Sequence, residues 1–394
     1  MTGPLRFVVP GSKSETQRAL VLASLSPGES TIEHPLDCED SQALRHGLRA
    51  FGALVQELPD RWLVRGGSLH APAQPIDCRD GGTTARFLAP LCLLCDGPLV
   101  LDGSPRLRER PIGELAEALT RLGVDVRFLA APGRLPLALR RPMPLTARRT
   151  VVGSASSSQF ASGLLLVAPL LPHGLELELV GEVVSRPYLA LTVHMMRRFG
   201  AEPRAAGTGW QVAPKPYRPA AVRIGGDWSS AAFLLVGGLI TGRALELRGM
   251  DSGSAQADRA IGRLLDELRQ PGPHAFDLSD CPDLLPPMAV AAACAVGPVE
   301  LRGLRHARLK ESDRPAVLAR ELGRAGIRVV EREDGLRIEP GGRLRPARLD
   351  PCGDHRMAMA FGLLSLREPG IESLDPGCVT KSYPEFWAEL ARLR

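Results

Sequence analysis

Six times along the chain, a short start of small, hydroxyl-bearing or acidic residues opens onto an apolar run with helical spacing. The starts are Gly11-Ser12-Lys13-Ser14, Asp80-Gly81-Gly82-Thr83-Thr84, Gly153-Ser154-Ala155-Ser156-Ser157-Ser158-Gln159, Gly225-Gly226-Asp227-Trp228-Ser229-Ser230, Asp280-Cys281-Pro282-Asp283 and Asp354-His355-Arg356. Polar residues that accept from backbone N–H groups mark helix N-termini, so each start predicts a capped helix buried on most sides. A second, amphipathic helix is predicted in each copy, as at 111–122, 187–199, 315–325 and 384–393, with proline in its first turn. Alternating apolar and polar positions at 175–180 and 244–248, and runs after glycine at 123–126 and 326–330, predict half-buried strands. Most starts recur at about 70 residues, longer than solenoid periods, so the pattern predicts repeated subdomains. Six α/β units suggest two domains of three units, with a natural break in the proline-containing segment 214–226. Related repeats would place the helix tips on one side of each domain, where their dipoles favour anions.

Composition narrows the ligand. The 394 residues are 44% hydrophobic and 24% charged, ordinary for a globular chain. The net charge of +5 is mild and carries no basic block, which argues against nucleic acid and for small anions. Residues 1–6 lack the apolar core of a signal peptide, and apolar runs such as 288–296 fall short of the ~20 residues of a membrane span. A cytoplasmic protein without membrane contact is expected. Cys92 and Cys95 form a CxxC inside Leu91-Cys92-Leu93-Leu94-Cys95, which reads as buried helix rather than zinc or redox site; the other cysteines read as reduced thiols. Lysine is rare: Lys13, Lys215, Lys310 and Lys381 are the only ones among 49 basic residues. Where lysine persists, a compact ammonium is wanted in place of the planar arginine fork. Lys215, between prolines, reads as incidental.

The first start illustrates the chemistry. Ser12 or Ser14 can cap a helix whose free N–H groups, with Lys13 and Arg18, suit a phosphate or carboxylate. It is not a nucleotide P-loop, because Ser12 precedes the lysine and the glycine spacing is absent.

Taken together, these motifs resemble those of the EPSP synthase family (3-phosphoshikimate 1-carboxyvinyltransferases) from about Val9 to Leu393. The matching stretches are Pro10 to Ser14 with Arg18; Asp80 to Arg86; Arg106-Leu107-Arg108-Glu109-Arg110-Pro111-Ile112; Ser157-Ser158-Gln159; Ser185-Arg186-Pro187-Tyr188; Gly226-Asp227 with Ser229-Ser230; Pro282-Asp283; Lys310-Glu311-Ser312-Asp313-Arg314; Asp354 to Met359; and Asp375-Pro376-Gly377-Cys378 with Lys381. The resemblance implies an α/β (α+β) enolpyruvyl transferase fold. Each of two domains would hold three βαβαββ repeats around inner helices, with the active site in the interdomain cleft. The chain would cross twice, giving residues 12–224 as one domain and 1–11 plus 225–394 as the other. The implied reaction adds the 5-hydroxyl of shikimate-3-phosphate to phosphoenolpyruvate and then eliminates phosphate, with no cofactor or metal and by a monomer.

Residue by residue, the resemblance assigns Lys13, Ser14, Arg18, Ser157, Ser158, Gln159, Ser185, Tyr188, Asp283, His306 and Lys310 to shikimate-3-phosphate. It assigns Lys13, Gly82, Arg110, Gln159, Arg314, Arg356 and Lys381 to phosphoenolpyruvate. Asp283 would take the hydroxyl proton, Glu311 would give and remove a proton at C3, and Lys13 would donate a proton or hold charge. Asp80 stands where many relatives have asparagine and is expected to pair with Arg86 or Arg110. Asp313 is expected to pair with a neighbouring arginine, and Trp228 to pack. The rival readings are UDP-N-acetylglucosamine enolpyruvyl transfer and carboxyvinyl transfer to a shikimate analogue.

Overall fold

The computed structural model describes residues 3–142 and 144–394. The chain divides into two compact units, Gly11–Ile224 and the residues up to Pro10 together with Gly225–Arg394.

In Gly11–Ile224, three inner helices pack against one another: Lys13–Leu25, Gly82–Leu88 and Gln159–Val167. They begin at three of the starts read from sequence. Lys13–Leu25 is buried from Glu15 to Leu25, as expected for a helix surrounded by other elements. Ser12 caps it, accepting from the Glu15 N–H. Gly163 lets the third helix approach the second: a Cβ there would lie 2.4 Å from the Arg86 carbonyl oxygen. Outer helices Glu39–Ala50, Gly113–Arg121 and Arg186–Arg198 turn one apolar face inward.

The three sheets of this unit share one design. In each, a four-stranded order runs parallel, then antiparallel, then antiparallel. Arg149–Ser154 pairs in parallel with Leu175–Val183, which pairs antiparallel with Gly209–Val212 and through it with Arg204–Ala206. Ile76–Asp77, Pro98–Asp102, Leu137–Arg140 and Asp125–Phe128 repeat the arrangement. In the first sheet the parallel edge is Ala221–Arg223, supplied by the far end of the unit to Gly28–Glu33. The CxxC stretch is not a continuation of α-helix. Ala89–Leu94 is a 3-10 segment with Pro90 in its first turn, and burial raises both thiols.

The other unit is built from inner helices Trp228–Thr241, Leu285–Ala293 and His355–Leu364, again in mutual contact. Asp227 and Asp354 cap the first and third. The outer helices are Ile261–Leu268, Arg314–Arg324 and Phe386–Leu393. Among the described residues, only one of the three repeats here carries the full four-stranded sheet, His274–Asp277, Val299–Arg302, Gly335–Glu339 and Arg328–Arg332. The other two keep just the parallel pair: Leu5–Val8 with Leu245–Arg248, and Ala347–Leu349 with Ile371–Ser373. Leu5–Val8 belongs to this unit, and Phe7 and Val9 are wholly buried in its core. Trp228 packs against the same core.

Candidate active site

The starts of the inner helices gather polar side chains within each unit. In Gly11–Ile224, Lys13 at the first helix tip donates from Nζ to Asp40 Oδ2 at 2.9 Å, and both side chains are largely covered. Asp40 is brought there by the next helix, Glu39–Ala50. Thr84, on the second inner helix, donates to the Asp40 carbonyl at 3.5 Å. Arg86, two residues on, donates to Gln159 Oε1 at 2.7 Å, to Ser157 Oγ at 3.4 Å and to the Pro111 carbonyl at 3.0 Å. Gln159 in turn donates from Nε2 to Thr83 Oγ1 at 2.9 Å. The second and third helix starts are therefore bonded to each other, with Ser157 and Ser158 buried beside them.

Gly82 and Arg110 meet face to face. A Cβ at position 82 would lie 2.8 Å from Arg110 Cζ. The guanidinium thus rests on the bare Cα, at a helix start suited to an anion. Asp80 accepts from the Ser104 hydroxyl, while Arg86 is directed to Gln159, Ser157 and Pro111. The same Ser104 hydroxyl caps Pro105–Glu109. Ser185 has φ +55° and ψ 40°, a left-handed conformation costly for a residue with a Cβ, immediately before helix Arg186–Arg198. Tyr188 sits on the first turn of that helix.

Arg18 faces inward. Its Nε donates to Thr192 Oγ1 at 2.8 Å, and its other nitrogens reach the Ser14 and Tyr188 carbonyls and the Ser162 hydroxyl. Burial pulls it down to about 10, against Tyr188 and Glu15, which raise it. In this unit Arg18 ties the first inner helix to helix Arg186–Arg198, a structural task that the sequence did not reveal.

The other unit gathers an acid–arginine network. Arg314, wholly buried at an outer helix start, donates from Nε to Asp354 Oδ2 at 2.8 Å, from Nη1 to Asp283 Oδ1 at 2.7 Å and from Nη2 to Glu311 Oε2 at 3.0 Å. Burial works to lower its pKa, but Asp354, Glu311 and Asp283 raise it above its ordinary value. Arg356 Nη1 meets the other oxygen of Asp283 at 2.6 Å, and Lys310 Nζ lies 3.9 Å from Asp283 Oδ1. Burial alone would raise the Asp283 carboxyl; Arg356, Lys310 and Arg314 outweigh it and hold the group well below the usual carboxylate range. Asp354 also accepts from Ser312 Oγ at 3.1 Å and from the Arg356 N–H at 3.0 Å. It caps the helix that carries Arg356 and pairs with Arg314 in one stroke. Asp313 pairs with Arg308 and caps Arg314–Arg324.

His306 is buried on the 3-10 segment Arg305–Leu309. Burial and then Lys310 push it down to about 4, so its ring is neutral near pH 7. Lys381 is buried at the end of Pro376–Lys381, which packs on helix His355–Leu364. Lys215 pairs with Glu202 in an exposed setting. Among the described residues, no group of three or more His, Cys, Asp or Glu side chains is arranged to hold a metal ion.

Two partners escaped sequence reasoning. Asp40 is 27 residues from Lys13 and carries no local signal beyond its place in a helix's first turn. Asp354 was visible as a helix cap, but its pairing with Arg314 depends on two helices meeting.

The arrangement can hold anions at paired cations and move protons at carboxylates. A family model described as EPSP synthase (3-phosphoshikimate 1-carboxyvinyltransferase) matches residues 5–390. A curated 3-phosphoshikimate 1-carboxyvinyltransferase from Methanoculleus marisnigri is 38% identical over 415 residues, spanning 99% of this chain and 97% of that protein. One of the same name from Serratia proteamaculans is 34% identical, spanning 98% and 95%. Among solved structures, EPSP synthase from Acinetobacter baumannii overlays with a TM-score of 0.80 at 23% identity, covering 98% of this chain and 95% of that one. The enolpyruvyl transferase NikO from Streptomyces tendae overlays with a TM-score of 0.75 at 20% identity, covering 100% and 95%. The structural likenesses carry the fold; the sequence matches carry the kinship, and the chain belongs to the EPSP synthase (3-phosphoshikimate 1-carboxyvinyltransferase) family.

Proposed function

We propose that this chain transfers the carboxyvinyl group of phosphoenolpyruvate to the 5-hydroxyl of shikimate-3-phosphate, releasing phosphate. The observation that carries the reading is the network in which two carboxylates, Asp283 and Glu311, share the guanidinium of Arg314, with Arg356 on the far oxygen of Asp283. Proton transfer in both directions needs two such groups, and an anionic substrate needs the cations.

The mechanism follows from the charges. In this structure the acids pair with the arginines. Asp283 held this low is a weak base. Phosphoenolpyruvate brings a carboxylate and a phosphate that compete for Arg356, Arg314 and Lys381, while Arg110 above Gly82 and Lys13 take the remaining negative charge. As those cations turn to the ligand, Asp283 loses stabilisation and its basicity rises. It then accepts the 5-hydroxyl proton as that oxygen bonds to C2, while Glu311, entering the step as the carboxylic acid, delivers its proton to C3. In the second step the C2–O bond to phosphate breaks, Glu311 takes its proton back from C3, and the proton held by Asp283 leaves with the phosphate. Lys13, steadied by Asp40, balances charge on the departing phosphate.

Gln159, Ser157, Ser158, Ser185, Tyr188, Ser14, His306 and Lys310 are assigned to shikimate-3-phosphate, with Arg18 holding the helices that carry Ser14 and Tyr188. The reading extends to a monomer in the cytoplasm; among the described residues, no helix is long and apolar enough to cross a membrane.

The test is phosphate release with shikimate-3-phosphate and phosphoenolpyruvate, with UDP-N-acetylglucosamine as the parallel acceptor. With phosphoenolpyruvate present, release is expected with shikimate-3-phosphate and not with the sugar nucleotide. Release with the sugar nucleotide instead, or with neither, would overturn the proposal.

A further inference from the structure

One buried carboxylate beside the acid–arginine network has no part in the mechanism above. Asp258 lies on the 3-10 turn Ala257–Ala260 and is 1% exposed. Its Oδ2 accepts from the Ser229 hydroxyl at the start of helix Trp228–Thr241. Its Oδ1 is enclosed and has no hydrogen-bond partner. Such a group is costly to bury as an anion and cheap to bury as a carboxylic acid.

The charged groups that act on it come from three neighbouring elements. Asp283 belongs to Pro282–Leu284, Asp227 is the cap of Trp228–Thr241, and Arg356 begins His355–Leu364. Cys281 is a neutral thiol, raised by burial and then by Asp258 itself. Arg259, on the same turn, donates to the Ser252 carbonyl. Burial acts most strongly, Asp283 and Asp227 add to it, and Arg356 and Ser229 oppose; the carboxyl is raised to about 7. Asp258 and Asp283 thus draw on one cation, Arg356, which Asp283 holds at 2.6 Å.

We propose that Asp258 is a positioning residue that takes up a proton when an anion engages Arg356, so that binding of phosphoenolpyruvate is coupled to protonation of this buried acid. The inference rests on the assignment of Arg356 to phosphoenolpyruvate. An anion at Arg356 absorbs the field that had favoured ionised Asp258. The carboxylate then accepts a proton from solvent, and the only bond formed is O–H. Protonation also removes a like charge from the surroundings of Asp283. Above the midpoint Asp258 is anionic and competes with the incoming ligand for Arg356.

The first experiment is an infrared titration of the ligand-free full chain from about pH 5.5 to 8.5. A carboxylic C=O band should vanish with a midpoint within about one unit of 7. It should be absent in Asp258→Asn. In Ser229→Ala the band should persist with its midpoint moved upward, because the lost hydrogen bond favoured the anion; this variant serves even if Asp258→Asn does not fold. The second is kcat/KM for phosphoenolpyruvate against pH, as the ratio of wild type to Asp258→Asn, which cancels titration of the substrates. The ratio should fall about threefold or more across the midpoint. A purely structural Asp258 would lower stability and leave this ratio flat. The absence of a titrating band, or a band that survives in Asp258→Asn, overturns the titration. A flat ratio overturns the coupling. A chain that shows the band but no turnover with these substrates overturns the function proposed above and leaves the titration of Asp258 standing.

Discussion

Replacing Asp354 by asparagine should be among the most damaging conservative changes in the Gly225–Arg394 unit. Both Asp354 and Arg314 are wholly buried, and the carboxylate accepts from Arg314 Nε, Ser312 and the Arg356 N–H. Asparagine keeps an acceptor for the helix N–H but removes the charge opposite Arg314. Breaking a buried pair by neutralising one partner costs roughly 3–5 kcal/mol. Arg314 keeps Asp283 and Glu311, so the loss should lie at the lower end, about 3 kcal/mol. For domains of about 150–250 residues, a kcal/mol is worth about 2–4 °C, so the melting temperature should drop by about 6–12 °C. Alanine also loses the cap, adding about 1 kcal/mol and hence about 2–4 °C more. Calorimetry on wild type and both variants at pH 7 reads this directly. A shift under about 2 °C for Asp354→Asn would refute the claim that the pair is stabilising, and equal melting for the two variants would refute the cap.

Three further outcomes are expected. Gly82→Ala puts a methyl 2.8 Å from Arg110 Cζ and displaces the guanidinium, so KM for phosphoenolpyruvate should rise about 10–100-fold, the equivalent of one charged hydrogen bond, with melting unchanged; an unchanged KM would remove Arg110 from the site. Asp40→Asn should lower kcat/KM by about tenfold or more by releasing Lys13, and Lys13→Arg should do at least as much because the fork does not fit the ammonium's place; wild-type kinetics in Lys13→Arg would end its assigned role. His306 is depressed to about 4, so below its unfolded value of 6.5 the unfolded chain takes a proton that the folded chain refuses. Its stabilising effect is complete above about pH 6.5 and lost between there and pH 4. The melting temperature of wild type should therefore fall more steeply over that window than that of His306→Gln, and parallel curves would refute it.

Much of this molecule is legible along the chain because its repeat is written in local chemistry. Ser12, Asp227 and Asp354 are helix caps readable from residue type, and the apolar runs after them are the inner helices. The shortened sheets were not legible. After Leu245–Arg248, the loop from Asp251 to Ala255 leads straight to a 3-10 turn, and the absence of a hairpin leaves no signature that a strand count could use. Pro90 turned a predicted helix into a 3-10 segment because it sits where the preceding α-helix is already ending. At the site, sequence pointed to cations and carboxylates singly. Their partners depend on tertiary packing: Lys13 with Asp40 across 27 residues, Arg314 with Asp354 across 40, and Arg18 with Thr192 across 174.

The placement of strand Leu5–Val8 has a consequence for synthesis. Its parallel partner is Leu245–Arg248, its Phe7 is sealed in a core made by later residues, and Arg392 near the end of the chain stacks over the Phe7 ring at 4.4 Å. On a ribosome the strand emerges well before the strand it pairs with and the core that covers it. The Gly11–Ile224 unit has all its own strands once residue 224 is out, and can close while the strand ahead of it still waits. At about 5–20 residues per second, the wait for residues 225–394 is on the order of 10–30 s. During it a short apolar strand edge is bare beside a finished domain. Its brevity, four residues with Arg6 facing solvent, limits what else it can pair with.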